Sequence, residues 1–187
     1  MHTLTVARKQ LLAVVALALG DMKQKTLPVR IAQQLGIAQG FFFGSAEPLQ
    51  TGKSGFVVIR DHINLLGDNP LIGPNQDEFG TRFPDMTEIY TWEIRASLAH
   101  LFDEEDRAEG ILVAHPAPET LSTSEQKALR KVGDCYFSVH LVPETIIARH
   151  GSMRFGSIIY SRGDVANDAV PEASVTQIFQ QAVEQLF

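Results

Sequence analysis

Short apolar runs and amphipathic stretches of helical period take turns along this whole chain, and that alternation limits the fold more than any other feature. A run apolar at every residue suits a strand covered on both faces, whereas a stripe at i, i+3, i+4 suits a helix lying on a sheet. The run 11–19 is the first and reads as an element buried on both sides, strand or helix. Thr26-Leu27-Pro28 opens a helix, with Thr26 as N-cap and proline in the first turn; Val29, Ile31, Ala32 and Leu35 make its stripe and Gly36 ends it. Residues 41–43 and 55–60 read as strands, and Thr87 caps a helix carrying Ile89, Trp92, Ile94, Leu98 and Leu101. A strand at 111–114 leads to a helix opened by the capping-box pair Ser122 and Glu125 and closed at Gly133. A strand at 135–139, a helix from Pro143 to Gly151, a strand at 155–160 and a helix over 171–186 complete the series. No internal repeat, low-complexity tract or linker interrupts it. The expectation is one domain over residues 1–187, of class α/β: three layers, α/β/α, around a mostly parallel, mixed central sheet.

A chain of 187 residues is long enough to bury a full core. Its net charge of −6, with no basic run longer than Arg8-Lys9 or Arg130-Lys131, argues against a nucleic-acid partner. The single cysteine, Cys135, excludes an internal disulfide and reads as a buried strand thiol, which fits the reducing cytoplasm. Arg8-Lys9 followed by 11–19 imitates a short secretory signal but is too short to span a membrane; the expectation is a buried element of the domain and no membrane partner.

Sheets of this kind hold ligands at the carboxyl ends of their strands. The loops at 44–54, 61–86, 115–121, 140–142 and 161–170 are therefore the candidates. The longest, 61–86, is punctuated by Gly67, Pro70, Gly73, Pro74, Gly80 and Pro84, yet carries Leu65, Leu66, Leu71, Ile72, Phe79, Phe83 and Met86. A loop with so much apolar surface must pack against something. No dinucleotide fingerprint, Walker loop, CxxC or HExxH signature occurs, and none of the six histidines has ligand spacing with another, so neither metal nor cofactor is expected. His62, beside Asp61, reads as a hydrogen-bonded structural histidine, and 103–106 as a solvated acidic turn. Glu119 stands just past a strand; it either accepts N–H donors of a heterocycle or is a charge before a helix N-terminus. Ser161-Arg162-Gly163-Asp164 contains an RGD tripeptide, read as a site-edge arginine or one paired to Asp164 rather than an adhesion motif.

Three blocks in order, Thr26-Leu27-Pro28-Val29-Arg30 with Leu35-Gly36, then 60–86, then Val142-Pro143-Glu144 with Ala148-Arg149-His150, resemble the trimeric purine nucleoside phosphorylases that act on inosine and guanosine. The likeness spans roughly residues 26 to 187. It implies the phosphorylase fold and phosphorolysis, in which orthophosphate attacks the anomeric carbon and the purine leaves. On this likeness Glu119 matches the glutamate that holds the purine, and Phe83 the aromatic that a neighbouring subunit lends to the sugar pocket. Other matched positions differ. The family's G-S-G-L-G phosphate loop and R-x-H-x-Y-E-G motif do not occur before Thr26. Its N-A-A-G phosphate turn aligns with Gly44-Ser45-Ala46-Glu47, where a carboxylate repels phosphate. Its phosphate-binding serine falls on His140, its ribose-packing methionine on Val139, the aromatic before the glutamate on Pro118, and its purine-contacting asparagine on Arg162.

The resemblance thus yields a leading expectation and an alternative. The first is a catalytically impaired phosphorylase-like protein that binds a purine nucleoside, nucleobase or nucleotide, or serves as an oligomeric accessory subunit. The second is an active phosphorylase or nucleosidase with a rebuilt pocket, using phosphate as co-substrate if a phosphorylase. His140 and Arg162 are the catalytic candidates; Glu119, Phe83, Pro118, Val139 and Arg162 bind substrate; Ser45, Ala46 and His140 are the remnant phosphate site. His140 and Arg162 together add potential positive charge. The expected assembly is a homotrimer or higher homo-oligomer, or a mixed oligomer with a full-length relative.

Overall fold

The computed structural model describes residues 11–15, 21–50, 55–162 and 172–186. The Arg8-Lys9 pair, residues 16–19, the Gly163-Asp164 half of the RGD tripeptide and Pro171 lie outside the described residues. In chain order the elements are β1 (Leu11–Val15), α1 (Met22–Gln34), β2 (Gln39–Pro48), β3 (Gly55–Asn64), α2 (Trp92–Ala99), β4 (Ala108–Ala114), α3 (Thr123–Val132), β5 (Cys135–Phe137), α4 (Val142–His150), β6 (Arg154–Ser161) and α5 (Glu172–Leu186).

Strands β1, β2 and β6 run parallel to one another, and so do β3, β4 and β5. Antiparallel contacts β3–β6 and β2–β5 join the two sets, so β2, β6, β3, β4 and β5 close on themselves with β1 outside β2. The β2–β5 contact is only two residues long, Glu47 opposite Phe137 and Pro48 opposite Tyr136. The two parallel sets therefore bring their carboxyl ends together at one place.

Strand periodicity builds the layers. Phe42, Val57, Ile59 and Ile159 face α1 and α4, packing with Val29, Ala32, Ile146 and Ile147. The intervening Phe41, Phe43, Val58 and Ile158 face the opposite way, against Ile94 and Leu98 of α2 and Ala182 of α5. Helix α3 covers β4 and β5 through Leu129, beside the buried Cys135. This is the expected three-layer α/β/α arrangement.

Several boundaries differ from the sequence reading, each for a local reason. Helix α1 starts a turn early because Asp21 caps it, accepting the Gln24 N–H at 2.9 Å; Thr26 and Pro28 lie inside the helix. Strand β2 runs well beyond 43 because Gly44 continues the strand, and the wholly buried Leu141 occupies the space a side chain there would need. Residues 44–48, read as loop, are thus strand. β3 runs to Asn64 because Asp61–Asn64 pair with Ile111–Ala114 after a register shift at Arg60. Thr87 caps no helix. Its N–H and hydroxyl both go to Asp85 Oδ1, and Thr91 is tied to the Phe155 backbone in both directions, so α2 begins only at Trp92. The Ser122–Glu125 capping box is present as read.

The long loop packs as its composition requires. Leu66, Leu71 and Met86 lie against the α1–α4 side of the core. Arg30 of α1 sits 4.3 Å from the Phe79 ring centre and donates to His150 Nδ1 at 3.1 Å. That bond leaves the proton on Nε2, which faces Asn75 Oδ1 at 3.1 Å. Arg149 Nε donates to the Asp85 carbonyl at 2.6 Å.

Candidate functional site

Where the strand ends converge there is a cavity of about 310 Å³. Each wall comes from a residue at or just past a strand terminus. β2 supplies Ser45, Ala46 and Glu47; the segment after β4 supplies His115, Pro116 and Pro118; β5 and its extension supply Phe137, Ser138, Val139 and His140; the end of β6 supplies Arg162. Six sequence candidates are brought together here: Ser45, Ala46, Pro118, Val139, His140 and Arg162. Glu119 is exposed in the short 3-10 turn Pro118–Thr120 and is not part of the lining. Phe83 lies in a second depression of about 410 Å³ formed by the long loop itself, and is 86% exposed. His115, Ser138 and Phe137 were not singled out from sequence. Their signal was positional, since they end or directly follow β4 and β5.

Local geometry fixes the wall. Leu141 has φ +75°, uncommon for a bulky residue, and is wholly buried against Gly44. It turns the chain from β5 into α4 and thereby presents Val139 and His140. Burial, then nearby Lys25, lowers the His140 pKa, so His140 is neutral at neutral pH. The added charge expected of His140 and Arg162 together therefore comes from Arg162 alone. Arg162 donates from Nη2 to Ser45 Oγ at 3.4 Å and joins neither of the two ion pairs formed among the described residues.

Beneath α4's first turn lies a second polar group. Glu144 is 1% exposed and its Oε2 has no partner; burial pushes its pKa up to about 7, against the opposing pull of its own and Leu141's backbone and of Lys25. Among the described residues Thr145 Oγ1, Tyr90 Oη and His62 Nδ1 are likewise buried with no hydrogen bond of ordinary geometry. His62 belongs to β3 and its ring meets Tyr90 edge-on at 5.8 Å; burial lowers its pKa to about 4 despite Asp61. Its Nδ1 thus lacks the hydrogen bond that the sequence reading gave it. Cys135 is buried with Sγ 3.5 Å from the Leu129 carbonyl, and burial raises its pKa, which keeps it an inert thiol.

The sequence profile of the phosphorylase superfamily matches residues 1–187. The chain is 36% identical over 139 residues to purine nucleoside phosphorylase 1 of Bacillus subtilis (strain 168), covering 72% of this chain and 51% of that protein. It is 33% identical over 138 residues to purine nucleoside phosphorylase of Bos taurus, covering 69% and 48% respectively. Among solved structures, Schistosoma purine nucleoside phosphorylase in complex with hypoxanthine superposes with a TM-score of 0.75 at 26% identity, over 90% of this chain and 69% of that one. The chain spans about half the length of the curated relatives it matches. Among the described residues no helix is long and apolar enough to cross a membrane.

Proposed function

The chain belongs to the phosphorylase superfamily as a divergent member of the purine nucleoside phosphorylase family, and from that premise we propose that it binds a purine compound at the strand-end cavity without ordinary phosphorolysis. The observation that carries this reading is the state of residues 44–47. Attack by orthophosphate needs a cradle of free donors that holds a dianion beneath the sugar. Here those residues lie inside β2, paired with β6 and then β5, and the exposed Glu47 is one of the residues lining the cavity. A carboxylate in contact with a phosphate dianion opposes its binding. The neighbouring wall offers Val139 and a neutral His140 in place of the family's methionine and serine.

The cavity itself persists, with Pro116, Pro118, Phe137 and Val139 as apolar surface for a flat heterocycle. Exposed Phe83 and Ile72 on the long loop support self-association through that loop, as a homotrimer. A role as accessory subunit to a longer relative uses the same surface.

Isothermal titration of the full chain with guanosine and with hypoxanthine tests the binding claim. Saturable heat is expected with at least one of them, and Val139→Trp, which fills the cavity, should weaken it at least tenfold. Absence of heat from both, or an unaffected Val139→Trp variant, contradicts the reading.

A further inference from the structure

Resting on the reading that the cavity takes a purine compound, we propose that its ligand is a nucleotide, whose phosphate is read by Arg162, Ser45, His115 and Ser138. Ser45 Oγ accepts the Arg162 Nη2–H at 3.4 Å. Ser138 Oγ accepts the His140 backbone N–H at 3.2 Å. His115 Nδ1 accepts the Ala117 backbone N–H at 3.1 Å, which leaves that ring's proton on Nε2. Each side chain accepts an N–H from this chain and retains one proton that it can donate. Arg162 has only donors, and among the described residues only Nη2 is engaged. Ser161 Oγ, next in sequence to Arg162, is wholly buried without a partner.

Several donors beside one cation favour an oxyanion, and a guanidinium meets phosphate oxygens in a two-pronged contact. Orthophosphate alone does not account for the rest of the cavity. A volume of about 310 Å³ with a partly apolar lining has room for a ring system beyond the anion. The one charged acceptor, Glu47, lies two residues along β2 from Ser45, about 7 Å away on the same face. A carboxylate so placed suits the paired hydroxyls of a ribose. At that separation, inside one Debye length, Glu47 still opposes the phosphate; contact with Arg162 and burial of the ring offset that repulsion for a nucleotide, whereas free orthophosphate has no ring to bury.

The test is isothermal titration of the full chain with GMP, guanosine and inorganic phosphate, repeated on Arg162→Gln and Arg162→Lys. GMP is expected to bind at least tenfold more tightly than guanosine. Arg162→Gln should erase that difference, and Arg162→Lys should restore part of it. Inorganic phosphate at matched concentration should fail to displace GMP. Equal affinities for GMP and guanosine, or a gap that survives Arg162→Gln, overturn the nucleotide assignment and leave the purine reading standing. Displacement of GMP by inorganic phosphate overturns it in favour of a free-phosphate seat. Silence from guanosine, hypoxanthine and GMP alike overturns both readings.

Discussion

Gly80→Ala should lower stability by about 3 kcal/mol and free the long loop from the body of the domain. A Cβ on Gly80 would overlap the His150 carbonyl oxygen. That oxygen belongs to the end of α4, so it cannot step aside as a flexible side chain would. The Gly80 carbonyl is also held by Asn75 Nδ2 at 2.9 Å, and Asn75 holds His150 Nε2 at 3.1 Å. His150 in turn meets Arg30, which covers Phe79. One methyl group therefore strains a chain of contacts joining the loop to α4 and α1. Urea unfolding should show a lower midpoint, and limited proteolysis should cut within 65–86 ahead of every other site. A variant that unfolds and resists cleavage like the parent would show that the loop is not anchored there.

Glu144→Gln should stabilise the protein at pH 8 and have little effect at pH 5. The folded carboxyl titrates at about 7, above the ordinary 4.5. Folding therefore favours the protonated acid. The destabilisation is absent below about pH 4.5, grows as pH rises through the interval, and is complete above pH 7. Two and a half units correspond to about 3 kcal/mol at most. His62 acts in the opposite sense: with its folded pKa at about 4, stability is lost as pH falls from 6.5 toward 4. Comparing the Gln variant with the parent at each pH cancels the His62 contribution. The difference between their unfolding free energies should widen from pH 5 to about pH 7 and level off by pH 8. A constant difference would mean that Glu144 is ionised throughout, with Lys25 or solvent as its partner.

The layers were legible in the sequence because strand and helix periods differ, so Phe41 to Phe43 and the stripe of α1 declare themselves. The capping box at Ser122 was legible because it is purely local. What local pattern could not supply was pairing. Nothing near Gly44 says that Leu141, almost a hundred residues away, fills the space above it and keeps β2 going. Nothing near Asp61 says that β4 will carry β3 on to Asn64. The same limit shaped the site. Ser45, Ala46, Val139, His140 and Arg162 were found through the resemblance and do meet in one cavity. His115 lay in the candidate loop 115–121 but was not named as a site residue, and Ser138 was read as part of a strand, because their relevance lies in which strand they follow and in where their lone pairs go. The neutrality of His140 was likewise invisible, since burial and Lys25 set it.

Whether the phosphorylase framework here has lost its phosphate chemistry decides between a binder and an enzyme. The direct measurement is release of hypoxanthine from inosine by the purified full chain, followed with and without millimolar orthophosphate. The prediction is release no faster than the uncatalysed background in both conditions, from a sample that binds purine by calorimetry. Phosphate-dependent turnover on the order of 1 per second or faster, within the ordinary enzyme range, would contradict it.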